Sequence, residues 1–361
     1  MVYIHIPFCR SFCIYCDFYS ETACGRRGDA QIGRYSSELL SEIERRRQEI
    51  LDTVGLNTLY IGGGTPSVLP LSVLEQTVSA LGCGPFEEFT IEVNPEDIVE
   101  RGEEYVRSLL ALGVNRVSMG VQSLDDGILR WMRRRHDASG ARRAFGILRD
   151  SGVDNISVDL IFGFPALSEA ILDSTLDEII SWCPDHVSAY QLSIEEGSAL
   201  AAQVRDGRFE EASESLCSGQ YSWICRRLSA AGYEHYEVSN WALPGHRAQH
   251  NSAYWTRRPY VGLGPGAHSF DGKCRRANSQ TLSGWTASVE TLSGQEEREE
   301  RIMLGLRTSD GVPEALCDAV VASRLVSEGA LVRILDASSQ PRLRIPEEKF
   351  FVSDSIIEEL I

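Results

Sequence analysis

The first two hundred residues repeat one unit: a short β-rich run, a loop, then a helical stretch. The β-rich runs fall at 2–6, 58–61, 89–93, 116–119, 155–161 and 186–192. Helical patterns between them cover 35–51, 71–81, 103–112, 139–151 and 170–182. Gly113 and Gly152 stand where helices should end, because a left-handed terminal residue is best supplied by glycine. Six β/α units in a row predict a parallel sheet with right-handed crossovers. Such strands form either an open doubly wound sheet or a barrel, partial or closed, and periodicity does not separate these. In every case ligands gather at the carboxyl ends of the strands.

After Leu200 the repeat stops. Residues 214–231 read as a helix with aromatic and apolar anchors, and 236–241 as a strand. Residues 246–278 read as a loop-rich stretch holding Gly262, Gly264 and Gly266, and 295–306 as a charged amphipathic helix. The tail reads as two short helices, 313–321 and 322–328, and a hairpin from 331–335 and 342–345. That is a winged-helix-like α+β appendage. Three domains are expected: 1–200 with the main site, 201–290 extending it, and 291–361 as the appendage.

The chain carries 52 acidic and 35 basic residues, a formal net charge of -17. This balance argues against a nucleic-acid surface. The clearest basic run is Arg133, Arg134 and Arg135, and the tail sets Glu347, Glu348, Glu358 and Glu359 against Arg342 and Arg344. No apolar run reaches membrane-spanning length, and no secretory leader pattern opens the chain. Cytoplasmic residence is the expectation; peripheral membrane contact and a homodimer remain compatible with it.

Ten cysteines are present, and three crowd into Cys9-Arg-Ser-Phe-Cys13-Ile-Tyr-Cys16, directly after the first strand. Three thiolates suit a four-iron cluster with one iron left open. A structural zinc ion would normally need a fourth ligand. No further cysteine or histidine follows at zinc spacing, and position 18 is Phe. Other strand ends carry polar groups. Gly62-Gly63-Gly64-Thr65-Pro66 follows the second strand, and glycines there let backbone approach a ligand, although such a run is also an ordinary turn. Glu92 closes the third strand and Gln122 follows the fourth. Asp159 lies between Val158 and Leu160, where an acid must be paired, either as a satisfied core carboxylate or with a ligand.

The C-x3-C-x2-C spacing, preceded by Tyr3-Ile-His-Ile-Pro7-Phe8, resembles the radical SAM superfamily. Within it the chain is similar to the oxygen-independent coproporphyrinogen III oxidase family. The resemblance implies a partial (β/α)6 TIM-like barrel. It also implies a [4Fe-4S] cluster on Cys9, Cys13 and Cys16, whose open iron is chelated by S-adenosylmethionine (SAM) and whose electron cleaves it. Tyr3, Tyr15, Gly63, Gly64, Thr65, Glu92, Gln122, Arg134 and Asp159 match SAM-contacting positions, with Asp159 toward the ribose and Arg134 toward a carboxylate. Arg133 stands where the relatives usually have Gly.

Two features select a branch. The oxidases extend the triad with another cysteine where this chain has Phe18. His250-Asn251-Ser252-Ala253-Tyr254-Trp255 resembles the His-Asn-x-x-Tyr-Trp string of HemW-type heme chaperones. This implies heme binding, with His250, Tyr254, Trp255 and His268 as candidates. A histidine can ligate heme iron and aromatics can cover the macrocycle; alternatively, His250 and Trp255 only stitch the loop to the barrel. The implied partners are heme or a porphyrin, heme-accepting respiratory proteins and an electron donor for the cluster. The other reading is an oxygen-independent coproporphyrinogen III oxidase, a radical decarboxylase.

Overall fold

The computed structural model describes residues 1–53 and 56–361. Six strands run β1 Val2–Ile6, β2 Thr58–Gly63, β3 Glu88–Val93, β4 Arg116–Gln122, β5 Ile156–Phe162 and β6 His186–Gln191. Each pairs in parallel with the next. Helices α1 Gly25–Arg45, α2 Leu71–Leu81, α3 Pro95–Ala111, α4 Ala138–Asp150 and α5 Glu169–Trp182 return the chain between them. The sequence alternatives thus resolve to the partial TIM-like barrel.

The strands alternate strictly, and this alternation makes the site. One set of positions is apolar and packs on the helices: Leu59 and Ile61, Phe89 and Ile91, Val117 and Met119, Val158 and Leu160, Val187 and Ala189, all buried. The other set is mostly polar and faces the barrel interior: Tyr60, Glu92, Arg116, Ser118, Asp159 and Ser188. Side chains on a strand point to opposite faces with period two. Parallel strands buried on both faces normally read as continuous apolar runs. A polar inner face therefore marks a lumen that holds a ligand rather than a packed core.

Three expectations change after Leu200. The strand expected at 236–241 is a hairpin, β7 Glu234–Glu237 and β8 Asn240–Ala242, antiparallel to each other, with β8 also antiparallel to β6. Its turn contains neither Gly nor Pro; the Glu237 carboxylate fixes it by accepting from the Ser239 amide at 3.1 Å. The stretch 246–278 is not simply loop. It contains helix α7 Gln249–Trp255 and strand β9 Val261–Leu263, which pairs in parallel with β1. The main sheet therefore runs β9-β1-β2-β3-β4-β5-β6-β8-β7. Helix α6 Glu214–Ala230 packs on α5. Further on, β10 His268–Phe270, β11 Cys274–Asn278 and β12 Ala287–Thr291 form a small antiparallel sheet.

The tail is winged-helix-like. Helix α8 Gly294–Leu306 opens on a Ser293–Glu296 capping box. Strands β13 Val312–Pro313, β14 Val332–Leu335 and β15 Pro341–Arg344 make a three-stranded sheet. The helix expected at 313–321 is only a 3-10 turn, Glu314–Leu316, because Asp318 caps a separate helix α9, Ala319–Ser327. Earlier in the chain, α3 starts at Pro95 rather than 103; Gly102 at φ +69° kinks it and hides its first turns from a periodic reading. Among the described residues no helix is long and apolar enough to cross a membrane.

Candidate functional site

A cavity of about 650 Å³ opens at the carboxyl ends of β1–β6. That lies within the range of about 300–1,000 Å³ usual for small-molecule sites. Cys9, Cys13 and Cys16 line one side of it. Their loop is held by its apolar members: Phe8 and Ile14 are buried, Ile14 accepts from the Leu200 amide at 2.8 Å, and Cys9 accepts from the Ala23 amide at 3.0 Å. The cysteines between these anchors are left facing the opening. Burial pushes the Cys9 thiol up to about 11, with the Thr65 hydroxyl 3.5 Å away acting in the opposite direction.

The glycine loop is forced by packing. Gly64 donates to the Ile6 carbonyl at 2.7 Å, and a Cβ there would lie 2.7 Å from the Phe8 carbonyl oxygen. Gly63 holds φ +111°, and its Cβ would meet the His5 ring at 2.5 Å. Any larger residue would push the loop off the cysteine segment.

Two carboxylates stand in the lumen. Glu92 accepts from the Tyr60 hydroxyl at 2.7 Å and from the Gly63 amide at 3.0 Å. Burial raises it to about 7, with Asp159 adding to the shift. Asp159 accepts from Ser118 at 3.1 Å and is also raised by burial, against the pull of Ser188 and Arg116. Arg116 is buried, and its Nε has no hydrogen-bond partner. On the cysteine side, Arg134 donates to Cys13 Sγ at 3.4 Å, Asn94 Oδ1 at 2.5 Å and the Gly120 carbonyl at 2.7 Å. Its Nε is buried and unpartnered. Gln122 takes φ +67° where the β4–β5 register shifts, and it lines the cavity. The site thus offers carboxylates at one end and a guanidinium beside the cysteines at the other. A ligand carrying a cation, hydroxyls and a carboxylate would satisfy both, and SAM is such a molecule.

The structure brings together Cys9, Cys13, Cys16, Tyr15, Gly63, Gly64, Thr65, Glu92, Gln122, Arg134 and Asp159 on one cavity. Tyr3 does not line it; its hydroxyl meets His5 Nδ1 at 3.1 Å and its ring packs 6.0 Å from Tyr60. Sequence reasoning missed Tyr60, Asn94, Arg116, Ser118 and Ser188. The available signal was the period-two polar series inside each strand.

The heme candidates do not converge. Helix α7 lies under the amino ends of β2 and β3, where the Gln249 and His250 amides donate to Glu88 at 2.7 and 2.9 Å. His250 is fully buried, with Nδ1 2.8 Å from the Thr58 hydroxyl and Nε2 2.9 Å from the Tyr254 hydroxyl. Burial drives it down to about 3. Both ring nitrogens have hydroxyl partners, and the residue lies at the barrel floor. Tyr254 packs edge-on against Tyr260, and Trp255 is half-buried. His268 is exposed at the start of β10, outside the cavity lining. Only Asn251 of this string reaches the cavity.

Residues 3–179 match the radical SAM superfamily. The heme chaperone HemW of Mycobacterium tuberculosis is 33% identical over 374 residues, covering 100% of this chain and 94% of that protein. The chain belongs to the HemW heme chaperone family. HemW of Lactococcus lactis is 34% identical over 323 residues, 86% of this chain and 82% of its own. The coproporphyrinogen III oxidase HemN of Escherichia coli superposes with a TM-score of 0.79, covering 99% of this chain and 89% of that one, at 19% identity. That likeness concerns the fold, barrel and appendage together. HemW membership brings with it the cluster and SAM of the superfamily, and the cavity described above fits both.

Proposed function

We propose that the chain is a heme chaperone that binds a [4Fe-4S] cluster, SAM and heme and delivers heme to acceptor proteins. The observation that carries this reading is likeness to heme chaperones along the entire chain, the stretch after the barrel included. Cys9, Cys13 and Cys16 would hold the cluster, which together with SAM supplies one-electron chemistry at the sulfonium when bound. Arg134, with its free Nε beside Cys13, takes a carboxylate. Glu92 takes the ammonium or a ribose hydroxyl, and Asp159 takes ribose hydroxyls. Gln122 and the Gly63-Gly64-Thr65 backbone close around the ligand. Tyr15 lines the wall, and Tyr3 acts one step removed, by holding the Tyr60 ring.

For heme, His268 is the histidine candidate left with its ring in solvent. The reading takes heme-accepting respiratory proteins and an electron donor as partners, and the cytoplasm as location. It leaves homodimerisation and peripheral membrane contact as arrangements to test.

The competing decarboxylase reading meets Phe18. At the position where the oxidases add a cysteine, this chain puts a phenyl ring that is 71% exposed at the cavity edge. The deciding experiment uses anaerobically reconstituted protein. Heme titration should give stoichiometric binding, weakened by His268→Ala. Incubation with coproporphyrinogen III and SAM should leave the porphyrinogen unchanged. Formation of protoporphyrinogen, or no heme binding with the cluster intact, would overturn the reading.

A further inference from the structure

Far from the barrel mouth, three side chains from three elements converge. Cys225 stands on α6, His235 on β7, and Glu347 in the turn Glu347–Val352 of the appendage. Their ligand atoms all lie within 4.8 Å of one another. His235 Nδ1 is 3.2 Å from Glu347 Oε1 and 3.9 Å from Cys225 Sγ.

The hydrogen bonds fix which imidazole nitrogen points inward. The Tyr221 hydroxyl gives its one proton to the Val238 carbonyl at 2.7 Å. Toward His235 Nε2, 3.2 Å away, it can therefore only accept, so Nε2 carries the hydrogen. In the neutral ring Nδ1 then presents a lone pair to a carboxylate oxygen and a sulfur. The Nδ1 and carboxylate lone pairs need a proton or a metal ion between them, and the Cys225 thiol, which keeps its proton in the empty site, stands within reach as a third ligand once that proton is lost. A proton alone accounts for the His235–Glu347 contact; a metal ion would in addition engage Cys225.

The spacing fits a metal. Bonds of about 2.3 Å to sulfur and about 2.0–2.1 Å to nitrogen and oxygen give tetrahedral edges of about 3.6 Å for S···N and about 3.3 Å for N···O. The observed 3.9 and 3.2 Å are close to both. The imidazole is locked in position, stacked on Trp241 at 4.2 Å and met edge-on by Phe350 at 5.0 Å. Its outer N–H is held by an oxygen acceptor, the Tyr221 hydroxyl, as the second nitrogen of a metal-bound histidine usually is. Glu347 is half-exposed, which leaves a fourth position open to water.

We propose that Cys225, His235 and Glu347 form a second metal site, selective for a zinc-like divalent ion, that ties the appendage to the edge of the barrel. The thiol proton is released on binding. The site is independent of the heme and SAM readings.

The test uses the full chain with its iron–sulfur cluster reconstituted, so that Cys9, Cys13 and Cys16 are occupied. Zinc is the probe. After zinc addition and gel filtration, wild type should retain one zinc per chain with its iron content unchanged. Competition with a chromophoric chelator should show affinity falling by at least about tenfold in Glu347→Gln, with a larger loss in Cys225→Ser. Zinc should raise the thermal midpoint of wild type by more than that of either variant. Glu347 is exposed enough that its variant tests the site even if Cys225→Ser folds poorly. Equal zinc in wild type and Glu347→Gln would mean an adventitious ion only. That result, no retained zinc, or zinc gained at the expense of iron would overturn the proposal.

Discussion

The Thr58 hydroxyl and His250 Nδ1 meet 2.8 Å apart at the floor of the barrel, across 192 residues of sequence. With the Tyr254 hydroxyl on the other ring nitrogen, this contact ties helix α7 to the amino end of β2. His250→Ala would leave two buried hydroxyls without a partner and a void the size of the ring. A loss of about 2–4 kcal/mol is expected, read by denaturant unfolding. Heme affinity of the folded, cluster-loaded variant should stay within about twofold of wild type. A large loss of heme binding at unchanged stability would restore His250 as an iron ligand.

Glu92 makes stability and ligand binding depend on pH. Its carboxyl is raised from 4.5 to about 7, chiefly by burial. The native state then binds more protons than the unfolded state between these values. Stability therefore falls as pH rises from about 4.5 to 7 and stays reduced above that. The full shift corresponds to at most about 3 kcal/mol. Glu92→Gln should flatten this part of the stability profile in urea titrations at pH 5 to 8. A cationic ligand favours the carboxylate, so SAM affinity of wild type should climb as pH rises through about 7. The same slope in Glu92→Gln would assign the titration to another group.

The cysteine segment separates cluster from zinc. Cys9→Ser, Cys13→Ser and Cys16→Ser should each remove most iron and the brown absorbance. Cys24→Ser should not, because Cys24 lies outside the cavity lining and its thiol points to the Arg10 carbonyl. Iron and acid-labile sulfide analysis of anaerobic samples measures this directly. One zinc and no sulfide in the wild-type segment would overturn the cluster assignment.

Much of the barrel was legible because its signals are local. Strand β1 and helix α2 fall at their expected limits, and Gly113 and Gly152 close helices with φ +104° and +94°. The cavity was legible where a polar residue interrupts an apolar run, as at Asp159, or sits in a string like Cys9–Cys16. Arg116 was not, because a residue at the start of a strand reads as an edge, while its side chain extends into the lumen. The His250 string reads two ways for a different reason. Its residue types suit a cofactor, and only the tertiary contacts with Thr58 and Glu88 favour the alternative of stitching the helix to the barrel. Strand β9 was invisible because three residues, Val261–Leu263, carry too little periodicity; their pairing with β1 makes them a strand.

Arg133 offers a test of how backbone conformation serves the site. It holds φ +58°, a region that disfavours a side chain, and it directly precedes Arg134. Arg134 must reach both Asn94 at 2.5 Å and the Gly120 carbonyl at 2.7 Å, and the left-handed residue turns the chain so that it can. Glycine fits this conformation without strain but gains freedom in the unfolded chain, so Arg133→Gly should change stability by less than about 0.5 kcal/mol and leave SAM binding intact. A β-branched residue cannot adopt the conformation readily. Arg133→Val should lose about 1–2 kcal/mol and weaken SAM binding through a displaced Arg134. Urea unfolding and SAM titration of both variants provide the comparison. If valine were tolerated as well as glycine, the left-handed turn would have no part in positioning Arg134.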